Sequence, residues 1–523
     1  MNNRAAVIRR RIIKFLSVFI KQIQNIIGEE TMDKKLFIFR LTALLLAAAL
    51  SLALISCGGD KTSPGGESDS GATEAVAETT DPYSDDLPEG LDFDGTEIRF
   101  LSAVEKTCIA IGEDDDLGDI VNAALWQRNL DLENRLNVKI VLVRTTGFGD
   151  FNKAATESIA AGSDDYEVLC GHTRFNISLA AEKMLLNLND VEYLDFTKPY
   201  WSELYTSNVN YKDNYYWAAG DITTSFIRYI YAVFVNSRTW QNYHSGIDLY
   251  AEVEAGRWTL DKLSEYASGA YADLNGNGEA DDEDAWGIVM QKGHVLNGMA
   301  FATGTKYTSK DENGDYVIAL NNEHTIDVFM KLHSLFYETD YAKMLLNEEF
   351  DEKSKNMFVE GRLLFEPHTF GFADNTAVRG MEDDFFIIPM PKYDESQEKY
   401  RVNQYDGVPL FGIPVTVPEE RADIVGASLE AMCSMSSDTV IPVYYDLALK
   451  NKYSRDETTA RMIDLIHESI TADFAFAWGD TIGGIMNIFY DNIQNKDISS
   501  TLSRQEKRWT KNLEKLMEKL SDE

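Results

Sequence analysis

The sequence predicts an α/β fold in which β-sheets are flanked by helices. Three observations carry this. Strand-like and helix-like stretches alternate from Thr96 onward, the pattern of a sheet covered by helices. The part with globular composition, again from Thr96, is long enough for two domains. The last fifth, from Pro418 on, reads as mainly helical.

The elements follow in order. "TEIRFL" is a first strand. "LGDIVNAALWQRNLDLENRLN" places Ile120, Val121, Ala124, Leu125, Leu132 and Leu136 near the helical period. "VKIVLVR" is the next strand and "FNKAATESIAAGS" the next helix. "YEVLC" is a third strand, followed by a helical "ISLAAEKMLLNL". "RYIYAVFVN" is a long β-rich run, too apolar for an edge, and reads as a buried crossing strand. "WGIVM" is a strand, and "YTSKDENGDYVI" is a hairpin around an Asn-Gly turn.

Composition narrows the partners. The chain holds 49 Lys and Arg against 86 Asp and Glu, a net charge of −37. Residues 1–56 contain nine of the bases and three of the acids, so the remainder carries −43. Such a surface excludes nucleic acid as a partner. The run Leu41 to Ile55 is too short to span a membrane and has the length of a signal-peptide core, with Lys34, Lys35 and Arg40 before it. Its end, "LISC", resembles the bacterial lipobox, which implies cleavage before Cys57 and lipid on its sulfur. The alternative is a plain membrane anchor. Residues 1–31 precede a second Met that opens an ordinary signal peptide, and read as an over-extended start; an amphipathic extension is the alternative. This predicts a signal peptide over 32–56 and a disordered tether over 57–92, where large apolar residues are almost absent. Cys108, Cys170 and Cys433 are too scattered for a metal site and allow at most one disulfide.

"DLNGNGEADDED", Asp273 to Asp284, meets the pattern of a twelve-residue calcium loop. Asp273, Asn275 and Asn277 fall at positions one, three and five, with Gly278 at the sharp turn. The Glu279 carbonyl, Asp281 and Asp284 complete the set at seven, nine and twelve. Asp instead of Glu at twelve is a shorter arm. The alternative is an acidic surface turn that holds no ion. A single loop suits neither a sensor nor a two-loop dockerin, so the expected role of calcium is structural. Nucleophile elbows, zinc-binding helices, Walker loops and dinucleotide fingerprints are absent from the sequence.

Several stretches together resemble the extracellular sugar-binding proteins of bacterial ABC importers, the broad group of maltose-binding protein. They are "KPYWSELYTSNVNYKDNYYWAAGD", "AVFVNSRTW", "LYAEVEAGRWTLDKLSEYA", "FVEGRLLF", "IIPMPKYDESQEKY" and "YYDLALKNKYSRDETTARMIDLI". Their order spans about Thr96 to Asp473. The resemblance implies a two-lobed periplasmic-binding-protein-like fold with a hinge and a central ligand cleft. It puts lobe one at 93–227 and 384–435, and lobe two at 228–383 and 436–523. It implies a monomer on the outer face of the cell membrane, lipid-anchored, that captures a carbohydrate for the permease subunits and is not an enzyme. By pattern it places ligand contacts at His172, Arg174, Trp217, Asp221, His294, Asn297, His368, Phe370, Tyr405 and Asp406. Where the group often has a Trp after the F-x-x-G segment, this chain has His368 and Phe370. The rival readings are a surface glycoside hydrolase using two carboxylates, and a binding protein that feeds a sensor kinase. A peptide or another polar solute in place of sugar stays open.

Overall fold

The computed structural model describes residues 81–103, 119–445 and 457–521. Cys57, the apolar run before it and Cys108 lie outside the described residues. The described residues contain no helix long and apolar enough to cross a membrane.

Two sheets organise the chain. The first has the order β11-β3-β1-β2, built from β1 (Thr96–Ala103), β2 (Val138–Thr145), β3 (Val168–His172) and β11 (Pro409–Gly412). Its first three strands are parallel, and β11 returns antiparallel to β3. The second has the order β10-β4-β9-β5-β8. It consists of β4 (Tyr231–Asn236), β5 (Trp286–Gln291), β8 (Ala342–Leu345), β9 (Leu363–Thr369) and β10 (Phe385–Ile388). Here β5, β8 and β9 are parallel, while β4 runs antiparallel to β9 and β10. The hairpin β6 (Thr308–Lys310) and β7 (Tyr316–Ile318) stands apart. Its turn holds Gly314 at φ +81°, a backbone that suits the expected Asn-Gly turn.

The helices form where local chemistry starts and stops them. The helix Ile120–Leu136 is capped by Asp119, whose carboxylate accepts from the amides of Val121 and Asn122, and ends at Asn137 in the left-handed region. It buries Leu125, Leu132 and Leu136 as expected, but Ile120 is exposed. The stretch expected to be helical at 177–188 is helical only over Ser178–Ala181. There Lys183 takes a positive φ, and the amide of Leu186 pairs with the carbonyl of Ile413. That bond to the strand-β11 side offers the backbone a partner outside the helix. The helix Asn347–Val359 hands over to β9 through Gly361 at φ +74°. A Cβ there would lie 2.2 Å from the Arg238 guanidinium, so the handover requires glycine.

Three segments lie side by side between the two sheets. Ile230 bridges to Gln404, and the amide of Tyr405 donates to the carbonyl of Tyr229 at 2.8 Å. Val402 bridges to Ile470, with its amide on the carbonyl of Ser469 and its carbonyl on the amide of Thr471, both at 2.8 Å. The chain therefore crosses near 229–230 and 402–405, with 469–471 lying alongside as a third segment. This shifts the expected lobe limits. The limit at 384 fails because β10 pairs with β4 inside the second sheet. The limit at 435 fails because it falls within the unbroken helix Glu419–Tyr444, which packs on Ile120–Leu136 in lobe one. The tether also ends earlier than expected. Arg135 grips the Asp85 carboxylate with a fork of bonds at 2.8 and 2.6 Å, and Ser434 bonds the backbone of Tyr83 and Asp85. Leu87, Leu91 and Phe93 pack against the core of lobe one. These few apolar side chains and the ion pairs of Asp85 with Arg135 and of Asp86 with Lys198 fix residues that composition alone assigns to a tether.

The last helices, Phe474–Ile482 and Ile498–Ser521, pack on each other and touch both lobes. The Trp478 indole donates to the carbonyl of Val209, and Asn214 donates to that of Leu520. Cys170 and Cys433 are buried.

Candidate functional site

In open α/β sheets the carboxyl ends of the strands are where ligands bind, because loops and helix starts converge there. Both sheets present such ends beside the crossing segments. From lobe one come the residues after β2 and β3; from lobe two, those after β5, β8 and β9.

His172 closes β3. Its Nδ1 accepts from the amide of Arg174 at 3.2 Å, and burial, aided by the Arg174 charge, pushes its pKa down to about 3. The ring is therefore neutral. Arg174 forks onto Asp480 through Nε and Nη2 at 2.9 and 3.0 Å, and its Nη1 lies 3.5 Å from Asp406. The bond to Asp480 holds the guanidinium pKa up. Burial raises Asp406 to about 6, with Arg174 opposing the rise. Tyr405 stands next to this pair on a crossing segment. Its ring centroid is 4.5 Å from His294, 5.4 Å from Tyr229 and 6.2 Å from His172. Gly407 lets it lie there, since a Cβ would come within 2.4 Å of the tyrosine ring.

His294 begins the helix His294–Ala302 after β5 and shares a 2.8 Å hydrogen bond with the Tyr231 hydroxyl. Burial lowers its pKa to about 3. His368, on β9, stacks between Phe350 and Phe372 and lies 3.9 Å from Asp351. A bond to His368 lowers the Asp351 pKa. Two residues back on β9, burial pushes the Glu366 carboxyl well above the usual carboxylate range, and it accepts from the Ser354 hydroxyl at 3.0 Å. A second charged group sits at the first crossing, where Arg228 meets Asp374 at 2.7 Å.

The sequence-derived residues divide accordingly. His172, Arg174, Tyr405, Asp406 and His294 form one contiguous group across the two lobes, and His368 joins it through the charge field of His294 and Asp351. Asn297 lies one turn beyond His294, with its Oδ1 buried and unpaired within the protein. Asp221 is bonded instead to Ser437 of the helix Glu419–Tyr444 at 2.6 Å, and burial raises its pKa to about 7. Trp217 and Phe370 offer no face to a ligand. Trp217 is fully buried, donates to the carbonyl of Ile177 and fills the space left by Gly171 and Gly412. Phe370 is fully buried where its amide meets the carbonyl of Ile230. Both aromatic assignments are thus corrected to core packing.

Sequence reasoning missed the best stacking surface. Phe175 follows Arg174 and is 43% exposed, with its ring stacked on Phe148 at 5.1 Å and 4.7 Å from His172. The Arg174 guanidinium lies 5.5 Å from its centroid. An exposed phenyl held by three neighbours is a rigid apolar shelf. Its signal was present in "CGHTRF", next to the residues that were chosen. Asp480 and Asp351 had no such signal, because the chain holds 86 acidic residues.

The loop Asp273–Asp284 is ordered by its own carboxylates. Asp273 accepts from the amides of Gly276 and Gly278, and Asn275 and Asn277 accept from Asn277 and Glu279. Asp284 is buried and takes the amides of Leu274 and Asp281. The amides of Asn275 and Asn277 both point at Asp281, at 3.0 and 2.7 Å. Outside, Arg362 braces the carbonyls of Asp282 and Asp284. Among the described residues no group of three or more His, Cys, Asp or Glu side chains is placed to hold a metal ion, and the loop's side chains spend their oxygens on its own amides.

The chain has a two-lobed, periplasmic-binding-protein-like fold, two sheet-and-helix lobes joined by crossing segments, and solved structures share it. UgpB from Mycobacterium tuberculosis, in complex with glycerophosphocholine, superposes with a TM-score of 0.54 at 16% identity, covering 80% of this chain and 99% of that one. A cyclo/maltodextrin-binding protein complexed with maltotetraose gives 0.51 at 11% identity, covering 82% and 98%. A solute-binding protein from Thermotoga lettingae bound with α-D-tagatose gives 0.50 at 14% identity, covering 82% and 100%. No protein-family model and no curated protein sequence matches the chain.

Proposed function

We propose that this chain is an extracellular receptor that captures a carbohydrate between its lobes and passes it to the permease of an ABC importer. One observation carries the reading. A charged fork (Arg174 with Asp406 and Asp480), an exposed aromatic shelf (Phe175 on Phe148) and two neutral histidines meet at the facing strand ends. Sugars need paired donors and acceptors for hydroxyls and a flat apolar face for their C–H surfaces. Among proteins of the same fold, two hold the hydroxyl-rich sugars maltotetraose and tagatose and a third holds glycerophosphocholine, a polar solute. The carboxylates of Asp406 and Asp480 are both engaged by Arg174, which suits holding a solute more than shuttling a proton to a glycosidic oxygen. The reading includes lipid on Cys57 as the membrane anchor and a structural calcium ion on Asp273, Asn275, Asn277, Glu279, Asp281 and Asp284.

The test is a thermal-shift screen of the purified chain against mono- and oligosaccharides, followed by calorimetry on the best binder. Saturable binding that leaves the sugar intact, and that weakens at least tenfold in Phe175→Ala and Arg174→Ala, is the expected result. A released reducing end would turn the assignment towards a hydrolase. A panel with no binder, or variants that bind as the parent does, would overturn it. Labelling with a palmitate analogue, lost in Cys57→Ala, tests the anchor.

A further inference from the structure

The segments at 402–405 and 469–473, with the helix Glu203–Val209, border a small cavity with an unusual lining. Asn403 Oδ1, Gln404 Oε1 and Thr471 Oγ1 are buried and make no hydrogen bond within the protein. All three residues line the same cavity, together with Tyr205, Asn208 and Asp473. The space open to the centre of a water-sized sphere is about 10 Å³. That is room for one water and little more.

The amide orientations are fixed by their other ends. Asn403 Nδ2 donates to the carbonyl of Gln404 at 3.1 Å, and Gln404 Nε2 donates to the carbonyl of Phe226 at 2.9 Å. Both amide oxygens are therefore acceptors in search of a donor, while the threonine hydroxyl has a proton to give. The nearby Asp473 carboxylate is already taken by the amides of Tyr307, Thr308 and Ala475 and by the Thr308 hydroxyl. Buried polar atoms in native proteins are almost always paired, by water where the protein itself does not reach.

We propose that this cavity holds a single water molecule as a built-in part of the hinge, donating to Asn403 and Gln404 and accepting from Thr471. Its two hydrogens and a lone pair match the two acceptors and one donor. Every unpaired partner is neutral, which favours water over a metal cation. The site joins the second segment to the third. A water there re-aims its bonds as the segments twist, where a direct side-chain bond would break. The proposal stands whether or not the cleft takes a sugar.

Two measurements test it. A high-resolution crystal structure of the chain should show one density peak within hydrogen-bond reach of the three atoms. Thr471→Val, which keeps the shape and removes the hydroxyl, and Gln404→Met should each lower the melting temperature by about 2–4 °C. The double variant should lose less than the sum, because both act on one shared water. An empty cavity or additive losses would overturn the proposal. So would a melting temperature raised by sodium or potassium chloride over choline chloride, which would make the occupant an ion.

Discussion

The calcium-type loop and the cleft group are both polar, both rich in carboxylate, and built in opposite ways. The loop draws its donors from twelve consecutive residues, and its bonds run almost wholly between neighbours in sequence, such as Asp273 to Gly276 and Gly278. The cleft draws Arg174, His294, Tyr405 and Asp480 from segments separated by scores to hundreds of residues, and its key bond, Arg174 to Asp480, spans 306 positions. A local motif needs only its own turn to exist. An assembled site exists only when both sheets and the crossings are in place. Damage to the scaffold should therefore reach the cleft and spare the loop, while damage to the loop should stay local.

Four experiments press on that contrast, the largest effect first. Trp217→Ala removes a fully buried indole that fills the space over Gly171 and Gly412 beneath β3. It should cost about 3–5 kcal/mol in chemical denaturation, and ligand affinity should fall with it although the indole touches no ligand. Unchanged stability would mean that lobe one does not depend on this packing. Arg174→Ala strips Asp406 and Asp480 of their shared cation and should cost about 1.5–3 kcal/mol of binding, tenfold or more in Kd by calorimetry. Calcium uptake at Asp273–Asp284 should be unaffected, and if it drops equally the two regions are not independent.

Chelation addresses the local side. Calcium at 100 times its dissociation constant adds about 2.7 kcal/mol to the folded state. A chelator, or Asp273→Ala, should lower the melting temperature and leave affinity for the sugar within a factor of about two, a difference below about 0.5 kcal/mol. Equal melting with and without chelator would leave the loop a simple turn. The last experiment is a pH dependence at Asp221. Its folded pKa is about 7 against an ordinary value of 3.8, so between those values the folded chain holds a proton that the unfolded chain has lost. Stability from this group is greatest at low pH and declines as pH rises from about 4 to 7. Asp221→Asn should flatten that decline, matching the parent's trend below pH 4 and gaining on it by pH 8, with little change in sugar affinity. A parallel pH profile in parent and variant would refute the assignment.

What could be read from the sequence followed the same division. The alternation of strands and helices, the hairpin at 307–318 and the loop at 273–284 rest on short-range pattern, and the structure forms strands β1 to β7 at or beside the expected runs. Arg174 and Asp406 follow from the family pattern in "CGHTRF" and "NQYDG", and Arg174 stands in the short helix Thr173–Asn176 directly after β3. Trp217 and Phe370 look the same in sequence as aromatic ligand contacts; only packing against Gly171 and Gly412, or against the crossing at Ile230, distinguishes them. The short helix at 178–181 and the lobe limits failed for one reason. The amide of Leu186 and the strand β10 each find partners more than a hundred residues away.

The grip of Arg135 and Ser434 on residues 83–85 also has a mechanical side. Any pull that arrives along the N-terminal chain is delivered to the outer helices of lobe one, Ile120–Leu136 and Glu419–Tyr444, which carry those two residues. The crossing segments take none of that load directly. Tension that enters at residues 83–85 therefore meets these two helices of lobe one before it meets the strands of either sheet.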